Sequence, residues 1–597
     1  MAIAMKSYSL VFICICITWE KHCQGESKSS AVIVSTKYGL LKGQTRYFPQ
    51  PVGNISVVNK FLGVPYAAPP IGELRFLPPQ KPKHWKGVYD ATRFKPVCYQ
   101  DPSYNQMFWK KDVNWSQSDD CLYLNVYAPS TTLSHARYPV MVYIHGGGYE
   151  AGSPVVSPGD ALPMWEVVLV TIQYRLGPFG FISTGDSAAP GNYGMLDQIE
   201  ALKWIQLTIE AFKGDPSRVT IFGESAGGSS VGLLLLSPLS TGLFHRAIAL
   251  SGNDFSPFAV NGREEAVGLT QGIAERIKCP IGDNAKMISC MRRADANSIW
   301  LSHDANKWRP VVDGIFLEDT PQNIRKANKS HPYPLIVGLT SNEGAYFLAE
   351  RVYNNIDSTT FRSYLMAFFG DISRYSRKWR PFDVSESLKD AIVFQYTPWP
   401  DTKNITRLRR GLIDMITDYS IAAPAHAVLD LHTNAAPGYL FVFSHRSKLT
   451  NLPSWKGATH KDDTPYEFGF PFMNLTVLQH YDEHDKNVSS IMITLFTNFA
   501  RTGNPTPQPV AGCTWTPFNE NNNPYLNITA KPEMRNNFHI RNIAFWNKYY
   551  PKVLNFTSCK KTNVRASTSG NSRSYRLDFQ HLLTLMIISF IVGMQYL

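Results

Sequence analysis

Short runs of β-branched and aliphatic residues alternate along the middle of the chain with stretches whose apolar positions recur at helical spacing. Tyr138 to Ile144 (YPVMVYI) and Val167 to Gln173 (VVLVTIQ) are continuous apolar runs, the pattern of strands buried on both faces. Leu196 to Ile209 then places Leu196, Ala201, Leu202, Trp204 and Ile205 close to the helical period, and Val219 to Phe222 (VTIF) supplies a further strand. Leu335 to Leu339 and Tyr439 to Phe443 add strands of the same kind. This alternation predicts right-handed crossovers and an α/β fold, with a large, mainly parallel central sheet carrying helices on both faces. No internal repeat and no low-complexity linker precedes about residue 560, so residues 26–560 are expected to form one large domain.

The two ends follow a different logic. Lys6 precedes an apolar run of ten residues, Leu10 to Trp19, too short to span a bilayer and suited to the core of a secretory signal; residues 1–25 are expected to be removed, with cleavage near Cys23 to Gly25. Within the segment 561–597, Leu582 to Leu597 is sixteen residues without charge. As a helix it would reach about 24 Å at 1.5 Å per residue, against a hydrocarbon core of about 30 Å. Small residues Ser567, Thr568, Ser569, Gly570 and Asn571 and a polar spacer up to His581 precede it, the layout of a GPI-anchor signal, with a short single-span tail as the alternative. The expected location is the secretory pathway and the extracellular face of the membrane, or secretion.

Composition narrows the class. At 597 residues, 44% hydrophobic and only 18% charged, the chain can bury a sizeable core, which excludes wholesale disorder. The formal charge of +12 is scattered, apart from Lys560, Lys561, Arg565, Arg573 and Arg576, and no nucleic-acid motif accompanies it, so no nucleic-acid partner is expected. Of nine Cys, Cys14, Cys16 and Cys23 belong to the signal region. Cys98 with Cys121 and Cys279 with Cys290 could close small loops. Cys513 and Cys559 are left to pair together, stay free or bridge two chains into a homodimer. Eight N-x-S/T sequons, at Asn54, Asn114, Asn328, Asn404, Asn474, Asn487, Asn527 and Asn555, predict exposed, glycosylated loops in an oxidising compartment.

Directly after VTIF stands Gly223-Glu224-Ser225-Ala226-Gly227, a G-x-S-x-G pattern. On a tight strand-to-helix turn such a serine has an exposed Oγ at a helix N-terminus. His145-Gly146-Gly147-Gly148 follows the strand YPVMVYI about eighty residues upstream. Its glycines let the N–H groups of Gly146 and Gly147 point at a developing oxyanion, joined by that of Ala226. Neither a cofactor nor a metal is expected.

With these motifs the chain resembles the type-B carboxylesterases and cholinesterases of the α/β-hydrolase fold, from about residue 30 to 556. Phe61-Leu62-Gly63-Val64-Pro65-Tyr66-Ala67, Asp120-Cys121-Leu122-Tyr123-Leu124-Asn125-Val126 and Phe545-Trp546 carry the likeness together with the two glycine motifs. The resemblance implies that Glu343, in Asn342-Glu343-Gly344, is the acid of a triad and that His460, ahead of Lys461-Asp462-Asp463 and Tyr466-Glu467-Phe468, is its base. Ser225 would attack the ester carbonyl, His460 would move the proton and Glu343 would orient the imidazole. Asp313, in Val312-Asp313-Gly314, is the rival acid and is expected to be structural. The resemblance further implies the disulfides Cys98–Cys121 and Cys279–Cys290 and the ion pairs Arg75–Asp119 and Arg175–Asp197.

The expected substrate is a small carboxylic ester. Trp109 could face a cationic alcohol, since indole is the best ring for that contact. With Glu224, Phe258, Tyr346 and Phe347 it makes up the candidate substrate-binding set. Asp304-Ala305-Asn306-Lys307-Trp308, ahead of Arg309, lacks the two Phe that would narrow an acetyl-selective pocket, so larger acyl groups should fit. A general carboxylesterase is therefore favoured, with a cholinesterase next. A neuroligin-like adhesion protein without catalysis is the alternative from another class; Gly180-Phe181-Ile182-Ser183-Thr184-Gly185-Asp186 resembles that branch, whose members typically lack the serine.

Overall fold

The computed structural model describes residues 30–48, 53–102, 116–131, 137–348, 356–375, 386–473 and 481–554. The expected signal segment and the C-terminal spacer and tail lie outside these residues, as do Trp109, Asn114, Asn474, Asn555 and Cys559.

Among the described residues, thirteen strands form one sheet. They are β1 (Ser30–Thr36), β2 (Gly39–Tyr47), β3 (Val57–Pro65), β4 (Val88–Asp90), β5 (Tyr123–Pro129), β6 (Tyr138–Ile144), β7 (Val168–Ile172), β8 (Gly214–Glu224), β9 (Arg246–Leu250), β10 (Leu335–Thr340), β11 (Gly438–Phe443), β12 (Pro524–Ile528) and β13 (Glu533–Asn536). The order is β1-β2-β3-β5-β7-β6-β8-β9-β10-β11-β12-β13, with β4 beside β2. From β7 to β12 every neighbour is parallel, as the alternating pattern predicts. The flank from β1 through β3 and β5 to β7, and the β12–β13 edge, are antiparallel.

The two-residue period of the strands divides the interior into two cores. On β6, Val140, Val142 and Ile144 join one cluster while Met141 and Tyr143 join the other; on β11, Leu440 and Val442 oppose Tyr439, Phe441 and Phe443. The first cluster takes Ile199, Leu202 and Ile205 from the helix Tyr193–Thr208. The second takes Val488, Ile491, Met492, Leu495, Phe496 and Phe499, an i, i+3, i+4 stripe of the helix Glu483–Thr502. That helix starts in a capping box between Asp482 and Asp485 and stops at Gly503, whose φ of 79° is the left-handed cap that glycine adopts without strain.

Disulfides join Cys98 to Cys121 and Cys279 to Cys290, Cys513 has no disulfide partner among the described residues, and both implied ion pairs form, Arg75–Asp119 at 2.7 Å and Arg175–Asp197 at 2.7 Å. Asn54, Asn328 and Asn487 are exposed. Asn404 is half-buried and caps the helix Ile405–Thr417 by accepting from the Arg407 N–H. Asn527 departs from the expectation of an exposed loop. It is 4% exposed inside β12, between β11 and β13, where a glycan could not be accommodated without opening the sheet. Among the described residues no helix is long and apolar enough to cross a membrane.

Candidate active site

Four parallel strands end on the same side of the sheet, and each hands one element to the site, as open α/β sheets do. β6 ends at Ile144 and runs into His145-Gly146-Gly147. β8 ends at Glu224 and the helix Ala226–Leu234 begins two residues later, with Ser225 as the corner. β10 ends at Thr340, three residues before Glu343, and the segment after β11 returns to His460.

Ser225 has φ 59° and ψ −121°, a conformation outside the regions that side chains favour. The corner is so tight that a Cβ on Gly227 would collide with the Ile144 carbonyl oxygen. Gly147 has φ 105°, open only to glycine, and Gly146 is close enough that a Cβ there would stand 3.0 Å from the Ser225 Cβ. The glycine loop thus lies directly beside the serine, and Ala226 is the first residue of a helix, where N–H groups have no intrahelical acceptor. His145 props this loop from beneath. Its ring stacks on Tyr174 at 4.5 Å, and burial pushes it down to about 4, so it stays neutral.

Glu343 is fully buried and has three partners. Oε1 accepts from the Ser251 hydroxyl at 2.6 Å and the Thr340 N–H at 2.7 Å, while Oε2 meets His460 Nδ1 at 2.6 Å. The opposite ring nitrogen, Nε2, stands 3.0 Å from Oε1 of Glu224, the residue before Ser225. That oxygen has no aligned hydrogen-bond partner among the described residues, so the contact is a close charge pair rather than a directed bond. Lys461 Nζ approaches the other oxygen, Oε2, at 3.8 Å. Burial alone would lower the imidazole, but Glu224 and Glu343 more than offset it and hold His460 up to about 10. Burial would likewise raise Glu224, and Lys461 and His460 together hold it below its usual value.

More acid lies behind these groups. Asp463 and Glu467 are buried, none of their carboxylate oxygens has a hydrogen-bond partner among the described residues, and desolvation plus neighbouring carboxylates push both well up. Asp462 is pushed up to about 6, mainly by burial. Asp313, the rival acid, does something else: its Oδ1 accepts the N–H groups of Ile315, Phe316 and Leu317, which closes a turn.

Of the candidate substrate-binding residues, Tyr346 and Phe347 place their rings 5.5 and 5.2 Å from the His460 ring, and Phe347 is 48% exposed. Phe258 is half-buried against the core in the segment after β9. In the candidate acyl-pocket segment, Asp304 turns outward to Arg276 at 2.9 Å. Sequence reasoning missed the residue that holds this segment. Glu150, two positions after Gly148, is buried and accepts the N–H groups of Asn306, Lys307 and Trp308 at 2.7, 2.6 and 2.9 Å. The available signal was an acid placed two positions after a glycine run.

The sequence profile of the family described as "Carboxylesterase family" matches residues 30–546. Among curated proteins, Neuroligin-3 of Mus musculus is 34% identical over 592 aligned residues, spanning 89% of this chain and 70% of that protein. Neuroligin-2 of Homo sapiens is 34% identical over 580 residues, spanning 88% and 68%.

Proposed function

We propose that this chain, which belongs to the carboxylesterase family, hydrolyses carboxylic esters through an acyl-enzyme on Ser225. The observation that carries the proposal is the 2.6 Å contact between His460 Nδ1 and Glu343, 117 positions apart in sequence, with the opposite ring nitrogen 3.0 Å from Glu224, the residue before Ser225. His460 Nε2 would take the proton as Ser225 Oγ bonds to the acyl carbon. The oxyanion would lie against the N–H groups of Gly146, Gly147 and Ala226. Breaking the acyl C–O bond releases the alcohol with the proton from Nε2, and water then reverses the sequence to free the acid. In the resting site Nε2 is engaged by Glu224, so catalysis begins with the imidazole leaving that carboxylate for the serine.

Nothing aromatic stands at Asp304 or Asn306, which supports an acyl pocket open to butyryl and aryl groups. Butyryl esters should be turned over at least as well as acetyl ones, by a factor of tens rather than absolutely, since a methylene is worth about 1 to 3 kcal/mol in such a pocket. Strict acetyl selectivity would show that other side chains close it. The proposal extends to residues 1–25 as a secretory signal, 26–560 as the catalytic unit and 561–597 as a lipid-anchor signal, which would place the enzyme on the outer cell surface.

A second reading is favoured by the names of the relatives: a neuroligin-like surface protein that binds a partner without turnover. One assay separates the two. The secreted protein is incubated with chromogenic acetyl and butyryl esters and with a fluorescent organophosphonate; absence of both turnover and labelling would leave the adhesion reading.

A further inference from the structure

We propose that Lys461 is a positioning residue of this site, its charge drawing on the far oxygen of the Glu224 carboxylate and so weakening the hold of that carboxylate on His460 Nε2; the inference rests on the esterase reading. Lys461 has φ 76°, in the left-handed region that glycine occupies freely and a long side chain resists. The Lys461 side chain does not extend into solvent. It is 15% exposed, and Nζ ends 3.8 Å from Glu224 Oε2, opposite the oxygen that faces His460 Nε2 at 3.0 Å.

The role of the lysine follows from the charges around the imidazole. Glu343 faces it from the turn after β10 and Glu224 from the end of β8, while Asp462, Asp463 and Glu467 stand on its own segment and Tyr346 and Phe347 flank the ring. A general base between two carboxylates is drawn towards imidazolium, the form that cannot accept a proton. Lys461 supplies the opposing charge by drawing on Glu224. The lowered position of Glu224, to which Lys461 is the largest favourable contributor, agrees with this contact.

The test compares wild type, Lys461→Met, Lys461→Arg and Lys461→Gly as secreted full-length proteins, measuring kcat/KM for p-nitrophenyl butyrate from pH 5.5 to 11.5 with the uncatalysed rate subtracted. Lys461→Met should move the acidic limb up by about one pH unit, a roughly tenfold loss on that limb, since one unit is a factor of ten. Lys461→Arg should restore most of it. Lys461→Gly relieves the backbone yet removes the charge, so it should shift the limb as Met does, and it carries the test if the Met variant fails to fold. An unchanged limb in Met and Gly overturns the proposal. The downfield proton resonance of the His460–Glu343 bond gives a readout that needs no turnover. If the wild type hydrolyses nothing, the esterase reading falls, while an equal titration of that resonance in wild type and Lys461→Gly would overturn the lysine's role by itself.

Discussion

Two buried charge clusters in this molecule obey opposite rules. Arg325 and Asp254, 1% and 0% exposed, meet through two parallel bonds of 2.5 and 2.8 Å, and His432 closes the group by accepting from Arg325 and donating to the Tyr333 carbonyl. Burial and the adjacent guanidinium push His432 down to about 4, so the cluster holds one cation, one anion and a neutral ring. Around His460 the hydrogen bonds do not close. Glu224 and Glu343 share one imidazole and one lysine, and behind them Asp463 and Glu467, pushed well up by burial and neighbouring carboxylates, have no hydrogen-bond partner for their carboxylate oxygens among the described residues. The first cluster satisfies every group, as one that holds the fold can; the second leaves buried groups unsatisfied, the arrangement expected of a site that would exchange a proton.

The largest expected effects test whether the second cluster works on Ser225. Ser225→Ala and His460→Ala should each abolish organophosphonate labelling and lower turnover by several orders of magnitude, because these residues act as one unit. Glu343→Gln should cost somewhat less, since the acid orients while the base moves protons. Asp313→Asn should leave kcat intact. If it damaged turnover more than Glu343→Gln in a folded protein, the acid would be misplaced.

Stability should respond the other way round. Asp254→Ala strands a buried guanidinium and should cost about 3 to 5 kcal/mol, read as a lower midpoint in urea, while esterase activity of the folded fraction persists. Glu224→Gln removes a carboxylate that Lys461 and His460 hold in its charged form, so it should lower the midpoint too, but by less than Asp254→Ala, because His460 can give up its proton and the guanidinium cannot. Equal losses in the two variants would erase the distinction between the clusters.

The legible parts of this molecule are the local ones. YPVMVYI occupies β6 residue for residue, and VTIF lies inside β8, because strands buried on both faces are written as unbroken apolar runs. The antiparallel flank was not readable: β1, SAVIVST, leaves most of its side chains exposed or half-exposed, and β4 is only three residues long. Glu343 and His460 were found through motif likeness, and their contact could not have been read from spacing across 117 positions. The hold of Glu150 on Asn306 to Trp308, the Arg325–Asp254 pair and the reach of Lys461 to Glu224 are long-range pairings with no local period to reveal them. The sequon at Asn527 failed for a related reason, since three residues specify a modification site but say nothing about burial.

The smallest expected effect asks how the neighbouring carboxylates act on the base. Glu224 is the largest contributor raising His460, so Glu224→Gln, which keeps the side chain's size and removes its charge, should let the imidazole fall from about 10 toward its ordinary range. A lower value leaves more neutral base at a given pH, so the acidic limb of kcat/KM should move down by about one unit, opposite to Lys461→Met. The plateau at high pH should change little or fall, because the lost carboxylate also favoured the imidazolium formed during acyl transfer. A limb that stays put would mean Glu343 alone sets the base. The double variant Glu224→Gln/Lys461→Met sharpens the comparison further. If the lysine acts through Glu224, its effect on the limb should largely disappear once that carboxylate is gone, and two shifts that simply add would assign the lysine a direct effect on the ring instead.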